Sequence, residues 1–475
     1  MNSNKLSIKE KVGYSLGDLS ANLVFQTLMM FLLVYYTDVI GIAPSVAGLI
    51  IFVGGLIGAA FNLVMGPIAD RTVTRWGKFR PWILWTAVPF GVLAWLAFSV
   101  PDLSMNGKIA YAAVTYVLLL IVYSANNLPY SALSGVMTSD MVERTSLSSF
   151  RFVAVTIAQF ISLVLLLPLV NYLGDGNDSM GYKYTIGIFG VIAVVFFLIT
   201  FFTTKERIIP TIDQKSSVKE DFKDLIKCKP WLAILSVTIL MFVGLALRGG
   251  ILVYYFRDFV SQTSLVAFFD TLGLADSSLT NDVSGFGYSL FNTCAIVAAL
   301  GGIAFSKPFA KRFGKRNTFI GGLAVTALLQ LLFVFFKPTD LALMYSTHFI
   351  LSFFFGITTP LLWAMIGDVA DFSEWQTNRR ATGLVFSAVI FGLKAGLSIG
   401  GAIAGFVLSS YGYDAVLTQQ PDRALLGIKL SVSIFTGIVF LLGTVVLFFY
   451  EIDKDKELLI QKELDERRAL KQRNN

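Results

Sequence analysis

The stretch RWGKFR, residues 75–80, is a short basic turn between two long apolar runs, and the chain contains a second version of it. That copy reads RFGKRN, residues 312–317, and it also separates two apolar runs. In both copies a glycine allows a tight turn among basic side chains. A basic turn that recurs in two apolar halves is typical of a duplicated membrane protein with matching loops. The two turns therefore predict two related halves.

The composition of the chain indicates a bilayer environment. Its 475 residues are 55% hydrophobic and only 15% charged, and the mean hydropathy is +0.70. A single water-soluble core cannot bury so much apolar surface. We therefore expect an all-α membrane protein that is surrounded by lipid.

Charge and cysteine content argue against several other partners. The net charge of +7 comes from basic residues in the loops between apolar runs, a pattern that reflects membrane orientation rather than a nucleic-acid-binding face. Cys228 and Cys294 offer no paired spacing for a metal or a disulfide framework. We expect no nucleic acid, no metal and no cofactor apart from a coupling ion. The sequence leaves the oligomeric state open, and a monomer is compatible with it.

The apolar runs predict twelve membrane-spanning helices. A hydrocarbon core of about 30 Å needs about 20 mostly apolar residues per helix. The polar start of the chain has no signal-peptide pattern, so the first run is counted as a helix. The runs lie at 12–37, 45–69, 79–100, 109–133, 149–172, 183–203, 231–256, 284–306, 317–336, 341–366, 381–409 and 427–450.

The loops between these runs alternate in charge. Lys and Arg gather at one set of loops, whereas acids such as Asp38, Asp102 and Asp414 dominate the other set. By the positive-inside rule, both termini lie in the cytoplasm and the protein is a multi-pass protein of the cytoplasmic (inner) membrane. The basic sets lie near residues 5–11, 71–80, 205–229, 307–316, 379–380 and after 454.

The longest polar connection divides the chain into two sets of six spans. We predict an N-terminal six-helix bundle at 1–204, a linker at 205–229, a C-terminal six-helix bundle at 230–450 and a cytoplasmic tail at 451–475. The tail alternates acids and bases at helical spacing, which predicts a solvated amphiphilic helix.

Several segments together resemble one branch of the major facilitator superfamily, the glycoside–pentoside–hexuronide cation symporters. The matches occur in chain order between about residues 12 and 410. They are GYSLGD (13–18), YYTD (35–38), RWGKFRP (75–81), YSANNLPY (123–130), Trp363, GDVADFSEW (367–375), RRATG (379–383) and KAG (394–396). The resemblance implies two pseudo-symmetric bundles around a central cavity that opens alternately to each side, with a sugar bound near the midplane.

The same resemblance implies a substrate site on the first, fourth, fifth and eleventh spans. Apart from any family, an amide, arginine or lysine inside an apolar span is a functional candidate, because burying it is costly unless it faces water or a partner. Interhelical hydrogen bonds are the structural alternative. The substrate candidates are Asn22, Tyr123, Asn127, Arg151 and Lys394.

Two positions depart from the melibiose permease, which resembles this chain but carries acids where Asn22 and Asn127 stand. With Arg151 and Lys394 present and no acid opposite them, the pocket would be net positive and would favour a sugar acid such as a hexuronide. A neutral glycoside or pentoside is the alternative.

The expected sodium site also differs from that of the related symporters. Their paired acids on the second span fall at Gly58 and Asn62, which cannot supply the charge that a hard cation needs. Asn62 and Ser124 remain as weak neutral ligands, and Asp18 is the nearby titratable group. His348, the only histidine, is expected to be a buried, hydrogen-bonded imidazole, with a proton relay as the alternative. Coupling to Na⁺ or H⁺, or none, stays open.

A charged network around the duplicated turn and after the tenth span is predicted to gate the cytoplasmic side. These charges could instead only set the topology, or cap helices together with Glu374. The gating candidates are Asp70, Arg71, Arg75, Lys78, Arg80, Asp368, Asp371, Arg379 and Arg380.

The function that the resemblance implies is secondary active transport of a sugar, glycoside or sugar acid. An uncoupled sugar facilitator and a lysolipid-type carrier of the same branch are the alternatives. An enzyme is not expected, because the sequence has neither a zinc-binding histidine pair nor a glycine-rich phosphate loop.

Overall fold

The computed structural model describes residues 6–138, 141–207, 225–274, 282–377 and 382–473, and within them each predicted span is a helix. The twelve helices are α1 Ile8–Val34, α2 Pro44–Arg71, α3 Arg80–Ala97, α4 Met105–Met137, α5 Met141–Phe160 continuing to Leu166–Gly174, α6 Asp178–Thr203, α7 Lys229–Tyr254, α8 Val283–Phe313, α9 Lys315–Leu332, α10 Leu341–Thr377, α11 Thr382–Ser410, and α12 Asp422–Leu430 continuing to Thr436–Leu447.

Length and hydropathy support the membrane assignment. Eleven of the described helices are long and apolar enough to cross a membrane, and the 18-residue α3 is the twelfth predicted span. The described residues contain no β-strand, only an isolated bridge between Thr74 and Gly77. The predicted all-α membrane fold with twelve helices is confirmed.

Four of the helices contain or end in a π-helical turn. Tyr35–Val39 ends α1 and Tyr255–Phe259 ends α7, whereas Ile161–Leu165 and Ser431–Phe435 lie within α5 and α12. Single π-helical turns are rare and often mark functional sites. The turns that end α1 and α7 occupy the same place in the two predicted halves, which agrees with a duplicated chain.

Packing divides the described residues into two units that do not follow the two halves. Unit 1 is drawn from Met1–Ile212, Gly249–Thr293 and Gly401–Ile428, and unit 2 from Asp213–Arg248, Cys294–Gly400 and Lys429–Asn475. The predicted domain boundaries follow the duplication, not the packing, and they stay a prediction. Most of the predicted linker, residues 208–224, lies outside the described residues.

Glycines allow α11 to pack closely on its neighbours in each unit. In unit 2, a Cβ added at Gly396 would lie 2.5 Å from the carbonyl oxygen of Ile239 on α7. In unit 1, a Cβ added at Gly405 would lie 2.9 Å from Cα of Gly48 on α2. Any larger residue would push these helices apart.

Two further helices lie outside the spans. The short helix Gln262–Thr271 buries Leu265 and Phe269 in unit 1. The tail forms the predicted helix, Lys454–Arg473, but it is not solvated on all sides, because Ile460 and Leu464 are buried in the core of unit 2. The sequence missed this docking because two apolar residues one turn apart leave only a narrow apolar stripe.

Candidate functional site

Polar and aromatic residues of unit 1 converge on one face of α1. Tyr14, Asp18, Asn22 and Phe25 follow one another at intervals of three or four residues, so they share this face. Partners for this face come from α4 and α5, which carry the other substrate candidates of the N-terminal half.

The central contact of this face is an ion pair between Asp18 and Arg151. Arg151 Nε lies 2.8 Å from Asp18 Oδ2, and the side chains are 29% and 7% exposed. Asn22 Nδ2 donates to the backbone oxygen of Asp18 at 2.9 Å and to its Oδ1 at 3.2 Å. The hypothesis of a net positive pocket required that no acid stand opposite Arg151, and this condition is not met. The acid lies one helical turn before Asn22, the position where the melibiose permease carries its acid.

Two tyrosines hold α1 against α4 beside this ion pair. The hydroxyl of Tyr14 donates to the backbone oxygen of Tyr130 at 3.0 Å, and the hydroxyl of Tyr130 donates to the backbone oxygen of Tyr14 at 2.7 Å. Their rings stack at 4.5 Å, and the Arg151 guanidinium lies 5.8 Å from the Tyr14 ring and 5.5 Å from the Tyr130 ring. Cation–π contacts of this kind further hold the arginine in place.

A second aromatic pair lies beyond Asn22. Phe25 of α1 stacks on Tyr123 of α4 with ring centroids 5.2 Å apart. Asn22 and Asn127, which lies one turn after Tyr123 on α4, are both half-buried. This part of unit 1 therefore combines an aromatic surface with two accessible amides, the mixture typical of small-molecule sites.

The expected ion site contains no carboxylate. Asn62 Nδ2 donates to the backbone oxygen of Gly58 at 2.9 Å, and Ser124 Oγ donates to the same oxygen at 3.1 Å. The described residues contain no cluster of three or more metal-binding side chains. Ser124 thus joins α4 to α2, whereas Asn62 bonds within its own helix.

The C-terminal half contributes Lys394 and one pair that the sequence did not identify. Lys394 is half-buried on α11 of unit 2, and its backbone oxygen accepts a hydrogen bond from Ser398. Also in unit 2, Arg248 Nη2 lies 2.8 Å from His348 Nδ1. His348 is buried, as expected, but its arginine partner was missed, although Arg248 is a basic residue within an apolar span.

The first basic turn is held by an acid that the sequence did not identify. The Glu206 carboxylate accepts the backbone N–H groups of Lys78, Phe79 and Arg80 at 2.8 to 3.0 Å, which caps the start of α3. Gly77 has φ of +112°, and a Cβ there would overlap this carboxylate.

The basic side chains of this turn pack on aromatic rings. The Arg75 guanidinium lies 4.5 Å from the Trp76 ring, whereas Arg80 reaches the backbone oxygen of Phe201 at 2.7 Å. The side chains of Asp70 and Arg71, together with Arg379 and Arg380, lie outside the described residues, so their predicted gating roles stay predictions.

The second turn is tied to α10 and the tail helix. Gly314 has φ of +81°, as the repeated motif predicts. Lys315 Nζ lies 2.7 Å from Asp368 and 2.9 Å from Glu457, and Asp371 lines the small cavity beside them. Asp368 is therefore paired with the lysine of the turn itself.

The opposite end of unit 1 carries a clamp formed by Asp38, Arg257 and Tyr413, which the sequence did not indicate. Arg257 forms an ion pair with Asp38 and bonds to the hydroxyl of Tyr413, which also lies 3.1 Å from Asp38 Oδ1. Burial raises the pKa of Tyr413, and the nearby Asp38 carboxylate raises this pKa further, so the phenol keeps its proton and donates to Asp38. Below the clamp, Thr37 and Tyr254 share a hydrogen bond of 2.6 Å.

A cavity of about 230 Å³ lies beside this clamp. Asp178, Asp282, Asn171 and Arg257 supply its polar lining, and Asn171 Nδ2 donates to Asp282 at 2.9 Å. These contacts join the ends of α1, α5, α7 and α8 at the side that the charge pattern predicts to be outside.

The comparisons with known proteins decide the family. A family model described as MFS/sugar transport protein matches residues 13–280 and 277–454, nearly the whole chain. The chain belongs to this family. It is a membrane transporter of the glycoside–pentoside–hexuronide type and not an enzyme, as the motifs predicted.

Two curated relatives and one solved structure illustrate the likeness. The inner membrane symporter YicJ of Escherichia coli is 36% identical over 94% of this chain and 92% of its own length. The isoprimeverose transporter of Lactiplantibacillus pentosus is 32% identical over 96% of this chain and 91% of its own. The crystal structure of a D-xylose–proton symporter is 14% identical, covers 94% of this chain and 98% of its own, and has a TM-score of 0.64. This last likeness confirms the major facilitator fold.

Proposed function

We propose that the protein is a secondary transporter of a neutral glycoside in the inner membrane, coupled to a proton, with both termini in the cytoplasm. The observation that carries this proposal is the α1–α4–α5 cluster of unit 1, in which an ion pair, two accessible amides and stacked aromatic rings lie together.

The ion pair supports a neutral substrate. A fully charged Arg151 without a partner would attract a carboxylate, but Asp18 already neutralises it at 2.8 Å. A relative named for isoprimeverose, a neutral sugar, is 32% identical to this chain, whereas a relative named as a glucuronide carrier protein homolog is less similar, at 28%. Both points favour a neutral glycoside over the hexuronide that the sequence suggested.

The accessible groups match the chemistry of a sugar. Amides offer donors and acceptors to hydroxyl groups, and an aromatic face can cover the apolar C–H face of a pyranose ring. Asn22 and Asn127 provide the amides, and the half-buried ring of Phe25, stacked on the buried Tyr123, provides the aromatic face in unit 1. We assign Lys394 of unit 2 to substrate binding from the C-terminal half, because its half-buried amine can donate to hydroxyl groups.

The choice of ion follows from the donor set. The YicJ relative is named a symporter, which supports coupling to an ion. Asn62 and Ser124 donate hydrogen bonds to the Gly58 carbonyl oxygen, and no carboxylate accompanies them among the residues described there. A sodium ion needs several oxygen ligands with negative charge, so a proton suits the chain better.

Counterflow in proteoliposomes tests this proposal. A neutral β-xyloside or β-glucoside should exchange across the membrane, and the matching glucuronide should exchange at under a tenth of that rate. Asn127→Ala should raise the half-saturation concentration of the glycoside roughly tenfold, whereas Thr156→Ala, on the neighbouring helix, should not. A preference for the glucuronide, or for a lysolipid, would overturn the assignment of the substrate.

A further inference from the structure

Arg248 and His348 form a contact in unit 2 that none of the roles above explains. Arg248 Nη2 lies 2.8 Å from His348 Nδ1, and Ser352 Oγ lies 3.4 Å from the same nitrogen. The imidazole is 2% exposed, whereas Arg248 is half-buried. The contact joins α7 to α10 about 10 Å from the start of α10, since Leu341 begins that helix and each residue adds about 1.5 Å.

The chemistry of the two groups fixes the protonation state. A guanidinium only donates hydrogen bonds and keeps its charge, so Nδ1 of His348 must accept with its lone pair. The imidazole is then neutral and carries its proton on Nε2. A proton added at Nδ1 would occupy that lone pair and bring two positive charges together. Proton binding and the contact with Arg248 therefore exclude each other.

We propose that His348 is the proton-binding group of the transport cycle, and that Arg248 expels the proton by forming this contact. One proton binds at Nδ1 when α7 and α10 are apart at this point, and it leaves as hydronium when the contact forms. The observed arrangement is the proton-released state. The proposal deepens the proposed function and rests on it, since it names the group that carries the coupling ion.

Other groups around the pair do not supply the same chemistry. On α10, Tyr345 lies about one turn before His348, and Cys294 lies on α8, which packs against α10 through Gly302. Both of these groups are uncharged at neutral pH. Lys394 lies on α11, the helix that packs against α7 through Gly396, and its charge has the same sign as that of Arg248. A charge on Lys394 therefore disfavours a charged imidazole, as the charge of Arg248 does.

Two transport assays on purified protein in proteoliposomes test the proposal. Counterflow of a neutral glycoside needs no net proton movement, whereas accumulation driven by an inward proton gradient does. His348→Gln keeps an oxygen that can accept from Arg248 but cannot be protonated at neutral pH. We expect His348→Gln to lose at least nine-tenths of gradient-driven accumulation while counterflow persists. Ser346→Ala, which changes an exposed serine of the same helix, should keep both.

The pH dependence of uptake by a second variant tests the same mechanism. Arg248→Gln removes the charge that expels the proton, so the pH at half-maximal gradient-driven uptake should rise by about one unit. The pH profile of Arg248→Gln still tests the proposal if His348→Gln does not fold. Unchanged accumulation in His348→Gln, or an unchanged pH profile in Arg248→Gln, overturns the proposal for His348 alone. A wild-type protein that ignores the proton gradient overturns both this proposal and the proton coupling of the proposed function. Absence of counterflow with every glycoside would instead overturn the proposed function.

Discussion

Asp38 and Arg257 lie in the two π-helical turns that end α1 and α7, and their side chains form an ion pair. The two turns are the ends of the first helix of each predicted half. Both turns carry an acid at their fourth position, Asp38 and Asp258, and the second turn has Arg257 where the first has Thr37. Tyr413, from the segment that follows α11, bonds to both partners. Three segments that are far apart in sequence are thus held together at one end of unit 1.

Breaking this clamp should make the cavity beside it more accessible. The pair is partly buried, with side-chain exposures of 37% for Arg257 and 11% for Asp38, so its loss is expected to cost about 1.4 kcal/mol, or about tenfold in the open population. In a background without the native cysteines, a cysteine at Val253 in the cavity wall should react about tenfold faster with a membrane-impermeant maleimide after Arg257→Ala. The exchange Asp38→Arg with Arg257→Asp should restore slow labelling. Equal labelling rates in all three proteins would contradict a role for the clamp in closure.

The Asp18–Arg151 pair should set the preference for substrate charge. Asp18→Asn leaves the buried guanidinium without its carboxylate, so transport of a neutral glycoside should fall at least tenfold and binding of a glucuronide should strengthen. Arg151→Gln together with Asp18→Asn should recover neutral-glycoside binding in part, because no isolated charge then remains. Binding constants from calorimetry for a matched glucoside and glucuronide measure the shift. A glucuronide affinity that does not change in Asp18→Asn would show that this pair does not select charge.

The fold could be predicted because it rests on local sequence signals. Apolar runs of about twenty residues define helices regardless of their neighbours, and the glycine of each basic turn adopts the positive φ that the motif predicts, at Gly77 and at Gly314. Family resemblance placed Asn22, Tyr123, Asn127 and Arg151 on three helices, and the contacts of Asp18 with Arg151 and of Phe25 with Tyr123 bring those helices together in unit 1.

The pairings of charged residues could not be predicted, because they join residues distant in sequence. Glu206 caps a helix that begins 126 residues earlier, and Arg257 pairs with an acid 219 residues away. Nothing local to Glu206 indicates its partner, since an acid at the end of a span is usually a solvated charge. For Asp18 a signal existed, because an acid ten residues into an apolar helix needs a cation nearby. Arg151, alone among the substrate candidates in being always charged, was the available partner.

Gly77 should be intolerant of any side chain. Gly77→Ala combines an unfavourable positive φ with overlap of the Glu206 carboxylate, so it should lower the melting temperature by several degrees. Gly321→Ala is the matched control, since nothing lies within 4 Å of a Cβ at Gly321 and alanine is favoured in its helix. Thermal unfolding in detergent, followed by light scattering or intrinsic fluorescence, measures both. A Gly77→Ala protein as stable as the Gly321→Ala protein would mean that Glu206 can move away freely.

Docking of the tail helix should contribute to the stability of unit 2. Ile460 and Leu464 are 3% and 4% exposed, and Glu463 accepts a hydrogen bond of 2.7 Å from Trp375 Nε1 on α10. Leu464→Asp would place a charge in this apolar contact, so it should lower the melting temperature clearly and make the tail sensitive to protease. Leu458→Asp, on the exposed face of the same helix at 57% exposure, should change neither property. If Leu464→Asp resists protease as well as Leu458→Asp does, the tail is not held by this apolar stripe, and its contacts through Glu457 and Glu463 must suffice to hold it.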